Sequence, residues 1–207
     1  MSACIALLNS VGEVVERWDW LADPGIEIPP GAAAVHGITT ERARRDGQPA
    51  SAVVTEITER LRAVVAAGWP VVVYNAPYDF SVLDRECRRH GIETLASPFV
   101  VIDPLVIDKA MDRYRKGKRT LVATSAVYGV PLESAHDAGA DAIAAGRLAQ
   151  SLLTAYPKEL DIALDELHIL QRGWYSDQAA SFEEYIRRVK GDERFVSDRS
   201  WPVRPRA

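Results

Sequence analysis

Pro70-Val71-Val72-Val73-Tyr74-Asn75-Ala76-Pro77-Tyr78-Asp79-Phe80 is the stretch that decides the fold. Pro70 to Tyr74 is short and continuously apolar, which suits a parallel strand buried on both faces. Asn75 to Asp79 is built from turn formers, and a helix follows from Phe80 to His90, closed by Gly91. A second run of the same kind, Phe99 to Ile102, ends at Asp103-Pro104 and leads into a helix over Leu105 to Tyr114. Strand, turn and helix repeated in this way give an α/β protein with parallel strands.

Towards the N-terminus, Ser2 to Leu8 reads as a strand, Asn9 to Gly12 as a turn, and Glu13 to Trp20 as the returning strand of a hairpin. The sheet is therefore mixed. Pro29-Pro30-Gly31 reads as extended loop, and Thr39 or Thr40 as the N-cap of a short helix through Arg45. Val53, Ile57, Leu61 and Val64 recur at helical spacing, and Gly68 ends that helix. Towards the C-terminus, Leu121 to Tyr128 and Ala138 to Tyr156 are helical. Ile143, Leu148, Leu152 and Leu153 lie on the buried side of the second of these. Beyond Pro157 two helices are expected, Leu160 to Gln171 and Ser181 to Val189, hinged near Gly173. The tail from Gly191 is expected to be extended or frayed, and Trp174, Tyr175 and Trp201 to be docking contacts. The resulting division is a main domain over 1–156, a helical extension over 157–190 and a tail over 191–207.

Composition fits this reading. Hydrophobic residues make up 47% of the 207 and charged residues 26%, as in a chain with an ordinary core. No apolar run approaches the roughly 20 residues of a membrane span, and no basic-then-apolar leader opens the chain, so a cytoplasmic location is expected. Cys4 and Cys87 lack metal-ligand spacing and read as reduced thiols in or near the core. A net charge of −4 excludes a protein that coats DNA stoichiometrically. It leaves room for an enzyme that holds phosphates through metal ions.

Three separated pieces carry chemistry. Asp79 lies just beyond the end of a predicted strand, where open α/β sheets place their ligands. His136 sits in or just before the first turn of the helix that begins at Ala138, and Asp141 lies one turn further in. His36-Gly37-Ile38-Thr39 lies in a loop after the hairpin. An imidazole and carboxylates at such a mouth could handle a water and a metal ion. The plainer alternative is that Asp137 caps the helix while His136 and Asp141 are solvated.

Taken together, these pieces resemble the DEDDh, DnaQ-like 3′–5′ exonucleases, the family of the proofreading epsilon subunit. Asn75 through Phe80 is similar to the family's Asn-Ala-x-aromatic-Asp-apolar motif, and His136 through Ala142 to its His-x-Ala-x-x-Asp-Ala motif. Val35 to Thr39 resembles the loop that lines the pocket for the terminal nucleotide. Asp103 and Gly117-Lys118-Arg119 also look like family counterparts, so the likeness runs from about Met1 to Tyr156. It implies an RNase H-like fold and hydrolysis assisted by two Mg²⁺ or Mn²⁺ ions, about 3.5–4 Å apart. His136 is then the catalytic base, Asp79 and Asp141 are metal ligands, and His36, Gly37, Ile38, Asn75, Phe80, Lys118 and Arg119 meet substrate. The implied partners are single-stranded DNA or RNA 3′ ends and, in replication or repair, a DNA polymerase. For the basic loop Arg113 to Arg119, the alternative is a solvated turn.

One departure stands out. The family's first motif, Asp-x-Glu on a central first strand, is absent. Glu13, Glu16 and Asp19 lie on the returning hairpin strand and read as surface charge. The gap predicts unpaired N–H and C=O groups on both neighbouring strands, each costing roughly 1–3 kcal/mol if buried. The simplest expectation is a start placed too far downstream, with about 15–25 further residues encoded before Met1. On this expectation the 207 residues alone bind metal weakly and are impaired as an enzyme. The competing reading is a non-catalytic relative that binds nucleic acid or protein. A third, an α/β phosphohydrolase with His136 as nucleophile, has the least behind it.

Overall fold

A computed structural model describes residues 1–95, 99–132 and 137–205. The hairpin forms as the sequence indicates. β1 (Ser2–Leu8) pairs antiparallel with β2 (Val14–Asp23), with Ser2 opposite Leu21 and Ile5 opposite Trp18. The turn between them is stitched by the Asn9 side chain, which accepts from the amides of Val11 and Glu13. β2 continues in parallel pairing with the two-residue β3 (Gln48–Pro49). β4 (Val71–Val72) and β5 (Val101–Ile102) form a separate parallel pair. Among the described residues, β1 is bonded only to β2, and β4 only to β5. The mixed sheet thus falls into two parts.

Helices cover both faces. α1 (Pro30–His36) and α2 (Thr40–Asp46) follow the hairpin, and α3 (Ala50–Ala66) packs Val53 against Trp20 and Ala22. α4 (Ala76–Arg89), α5 (Pro104–Met111) and α6 (Leu121–Val127) follow in order. α7 (Ala138–Ala155) lies on the opposite face from α3 and buries Leu148 and Leu152 against Ile102, Ile107 and Leu167. Its Gly146 lets Leu8 of β1 approach closely, since a Cβ there would overlap the leucine side chain. Leu153, expected inside, is instead 37% exposed.

Two expectations are corrected. Pro29-Pro30-Gly31 is not extended loop, because Pro30 opens α1, where its missing N–H is no loss, and Gly37 closes the helix with φ +70°. The two C-terminal helices are one helix. After the short α8 (Pro157–Leu160), α9 (Leu164–Tyr185) runs straight through Gly173. A lone glycine costs a helix only about 1 kcal/mol, and burial of Leu167, Gln171 and Ala179 along α9 outweighs it. The tail has no helix or strand over its described length and docks through Trp201, as expected. Trp201 is 7% exposed in a cluster with Ala76, Phe80 and Val106, and the Arg204 amide donates to Ser81 Oγ at 2.9 Å. Among the described residues, no helix is long and apolar enough to cross a membrane.

Candidate active site

Between the two parts of the sheet lies a cleft of about 1310 Å³. Asp79 from the first turn of α4 and Asp141 from the first turn of α7 both line it. α4 starts where it does because of Asp103. This carboxylate, fully buried at the end of β5, accepts from the amides of Asn75 and Ala76 (2.9 Å each) and of Leu105 (3.0 Å). Those bonds hold Asn75 at φ +64°, a left-handed conformation that asparagine tolerates better than most residues. The helix therefore begins at Ala76, four residues before the predicted start. Gln171 on α9 braces Asp103 in turn. Its Oε1 accepts from the Asp103 amide at 2.6 Å, and its own amide donates to the Val101 carbonyl at 3.0 Å. Burial pushes the Asp103 carboxyl upward in pKa, and the N–H groups it accepts from oppose that.

Asp79 has a dense protein surround that pushes its carboxyl up to about 6, with the charge of Asp103 adding to the push. The residue is exposed at the cleft, so water there relieves part of the effect. Asp141 is half-buried. Asp137 caps α7, accepting from the Ala140 amide at 2.9 Å, as the plain reading of that stretch has it. His136 lies outside the described residues. His36 lines the cleft, and its Nδ1 accepts from the Ile38 amide at 3.1 Å, which fixes the proton of the neutral ring on Nε2. Ile38 also lines the cleft and is buried, whereas Gly37 serves as the turn between them. Asn75 and Phe80 are on the lining too. Phe80 is at the same time a core residue, meeting Phe99 edge-on with 5.3 Å between ring centroids.

The basic loop is mostly committed elsewhere. Arg115 and Arg119 converge on Asp108, which is fully buried, at 2.5 and 2.7 Å. Arg119 also donates to the carbonyls of Asp112 and Arg115. A buried carboxylate left without cations is costly, so the Arg119 guanidinium is held by Asp108, and the residue also lines the cleft. Lys118 is exposed and does not line the cleft. The hairpin acids behave as surface charge, with Asp19 paired to Arg17 at 2.6 Å in the open.

Carboxylate oxygens suit a hard divalent cation. Their number falls short, because no group of three or more His, Cys, Asp or Glu side chains placed to hold a metal occurs among the described residues. Asp79 and Asp141 could each supply one ligand of a larger set.

The sequence model of the RNase T exonuclease family matches residues 3–149. The chain belongs to that exonuclease family. This member of the family resembles the PolC-type DNA polymerase III of Streptococcus thermophilus, 31% identical over 138 residues. That is 66% of the chain and 9% of the polymerase. A similar likeness, 28% over 141 residues, holds for the polymerase of that name from Lacticaseibacillus paracasei. The chain thus corresponds to about a tenth of the length of these relatives. Among solved structures, the E. coli ExoI–ssDNA complex in its zinc-bound form superposes with TM-score 0.64 at 23% identity, over 76% of this chain and 37% of that one. The nuclease domain of 3′hExo, a DEDDh family member bound to rAMP, gives 0.58 at 15% identity, over 74% and 80%. Both likenesses establish the RNase H-like fold.

Sequence reasoning missed two features of the site. Gln171 and Trp201 support Asp103 from the C-terminal segment, with Trp201 Nε1 at 3.4 Å from its carboxylate. A polar residue on the inner face of the helix was the available signal for Gln171, and Trp201 was legible as a docking contact but not as a partner of Asp103. Tyr78 is the second feature, an exposed aromatic ring on the cleft beside Asp79.

Proposed function

We propose that the chain is a metal-dependent 3′–5′ exonuclease that releases nucleoside 5′-monophosphates from single-stranded DNA or RNA. The observation that carries this reading is that Asp79 and Asp141 line one cleft in a member of an exonuclease family. These two acids are assigned as ligands of Mg²⁺ or Mn²⁺. Such an ion, when bound, stabilises charge on the phosphodiester and on the attacking oxygen. His136 is assigned as the base that takes a proton from the attacking water, a task suited to an imidazole near neutral pH. His36 offers Nε2–H to the terminal nucleotide, Ile38 an apolar wall, and the exposed ring of Tyr78 a face on which a base can stack. Lys118 and Arg119 are assigned as the loop's phosphate contacts. The PolC-type relatives support a DNA polymerase as partner. With no cluster of three metal-binding side chains among the described residues, activity from these 207 residues is expected to be slow.

A 5′-labelled single strand incubated with Mn²⁺ tests this directly. Shortening from the 3′ end, one nucleotide at a time, with loss of activity in Asp141→Asn and His136→Ala, is the expected result. Shortening from the 5′ end, or a rate untouched by both substitutions, would overturn it. The shortage of described ligands favours one second reading, a non-catalytic relative that binds nucleic acid or protein. That reading gains if the chain, extended by a strand carrying Asp-x-Glu, is folded and still inert.

A further inference from the structure

Asp108 to Arg119 carries six cations against two acids, in a chain whose net charge is −4. Both acids are engaged within the loop itself. Asp108 is fully buried and takes Arg115 and Arg119 at 2.5 and 2.7 Å, and the Tyr128 hydroxyl donates to it at 3.1 Å. The Asp112 carboxylate takes Arg115 Nε at 2.8 Å, and its carbonyl accepts from Arg119. Arg113, Lys116 and Lys118 are left exposed, with no ion pair among the described residues. Tyr114 stands among them with its side chain 88% exposed, more than any other large apolar side chain among the described residues. The Arg113 guanidinium carbon lies 5.9 Å from the centre of its ring.

A merely solvated turn has no need of such a base. Taking a carboxylate and two guanidinium groups out of water is costly, and what a buried cluster of this kind returns is one fixed arrangement. Here the fixed object is the rim of the loop, which holds three free cations around one aromatic face. Arg119, Thr120 and Leu121 line the same cleft as Asp79 and Asp141, and Arg119 Nη2 donates to the Arg115 carbonyl at 3.1 Å. The rim is therefore continuous with the cleft wall.

We propose that Tyr114 is a stacking platform for a base of single-stranded nucleic acid upstream of the 3′-terminal nucleotide, with Arg113 and Lys116 as the phosphate contacts beside it. These three residues precede Gly117-Lys118-Arg119, so the platform lengthens the track already assigned to Lys118 and Arg119. An aromatic face accepts any base, and cations alongside it follow the backbone. In a duplex the base faces cover one another, so the ring serves single strands alone. An acidic protein segment would meet the cations and leave the ring without a partner. Because the rim is already built, little ordering is lost on binding. The inference rests on the nuclease reading for its ligand and narrows the substrate to strands long enough to reach from the cleft to the rim.

Binding is measured in EDTA, so that neither metal nor turnover enters. A twelve-nucleotide thymidine strand with a 5′ fluorophore is titrated into the full chain and followed by anisotropy. Tyr114→Ala is expected to weaken binding about fivefold or more, within what one base–aromatic stack contributes, and Tyr114→Trp to stay within about twofold. The double variant Arg113→Ala, Lys116→Ala should lower the salt slope by about 1.4. A three-nucleotide strand and a blunt duplex should bind more weakly and be indifferent to Tyr114→Ala. Because the ring is exposed, the urea midpoint of Tyr114→Ala should not move. Equal binding of the long strand by Tyr114→Ala, or no binding by the unaltered chain, would overturn the proposal. So would polyglutamate bound as tightly and with the same loss in Tyr114→Ala, which would assign the loop to an acidic protein. Failure of the nuclease reading looks different: a strand bound through Tyr114 that is never shortened when Mn²⁺ is added.

Discussion

Replacing Asp103 by alanine should destabilise the protein far more than its single side chain suggests. Three backbone amides, those of Asn75, Ala76 and Leu105, lose their acceptor at once. Hydrogen bonds to a charged group are worth about 1.5–3 kcal/mol each, so the gross loss is roughly 4–9 kcal/mol. Removing a fully buried carboxylate returns several kcal/mol of desolvation, which leaves a net loss of about 2–4 kcal/mol. Asp103→Asn keeps the volume and one acceptor oxygen, and should lose about half as much. In urea denaturation with a slope near 2 kcal/mol/M, the alanine variant's midpoint falls by about 1–2 M. Hydrogen exchange at Asn75 and Ala76 should accelerate more than at Val53, which makes no contact with this network. A midpoint shift under about 0.3 M with unchanged slope would refute the view that Asp103 organises the start of α4.

Asp108→Ala leaves Arg115 and Arg119 facing a buried void, and should cost about 3–5 kcal/mol in the same denaturation assay. Lys118→Ala should leave stability within about 0.5 kcal/mol. It should weaken single-strand binding for all sequences alike and lower the salt slope by about 0.7, measured by anisotropy from 50 to 200 mM salt. For Asp79 the folded carboxyl is raised above the usual value near 3.9 to about 6. Its contribution to metal-free stability is therefore fully present below about pH 4 and is lost as pH rises through 6. Asp79→Asn should accordingly stabilise the metal-free protein at pH 7.5 and not at pH 4, as compared by urea midpoints.

Much of the architecture was legible because it rests on short-range patterns. The valine run before Asn75 gave β4, the helical spacing from Val53 gave α3, and Asp137 ahead of an alanine-rich run gave the capped α7. Failures came where a distant residue decides a local question. The start of α4 depends on Asp103, a strand away, and the continuity of α9 through Gly173 depends on burial of residues on both sides of it. The docking of the tail was legible in its tryptophan, since Trp201 joins a cluster assembled from α4, β5 and α5. Arg115 and Arg119 carry a structural bond that the sequence hides. A basic loop looks free until the buried acid it serves, Asp108, is located.

Manganese binding to the 207-residue chain, followed by electron paramagnetic resonance at pH 7.5, tests the central assignment most directly. Weak binding is expected that falls at least tenfold in both Asp79→Asn and Asp141→Asn, the two carboxylates assigned as its ligands. Binding that survives unchanged in either variant would contradict the placement of the metal centre there.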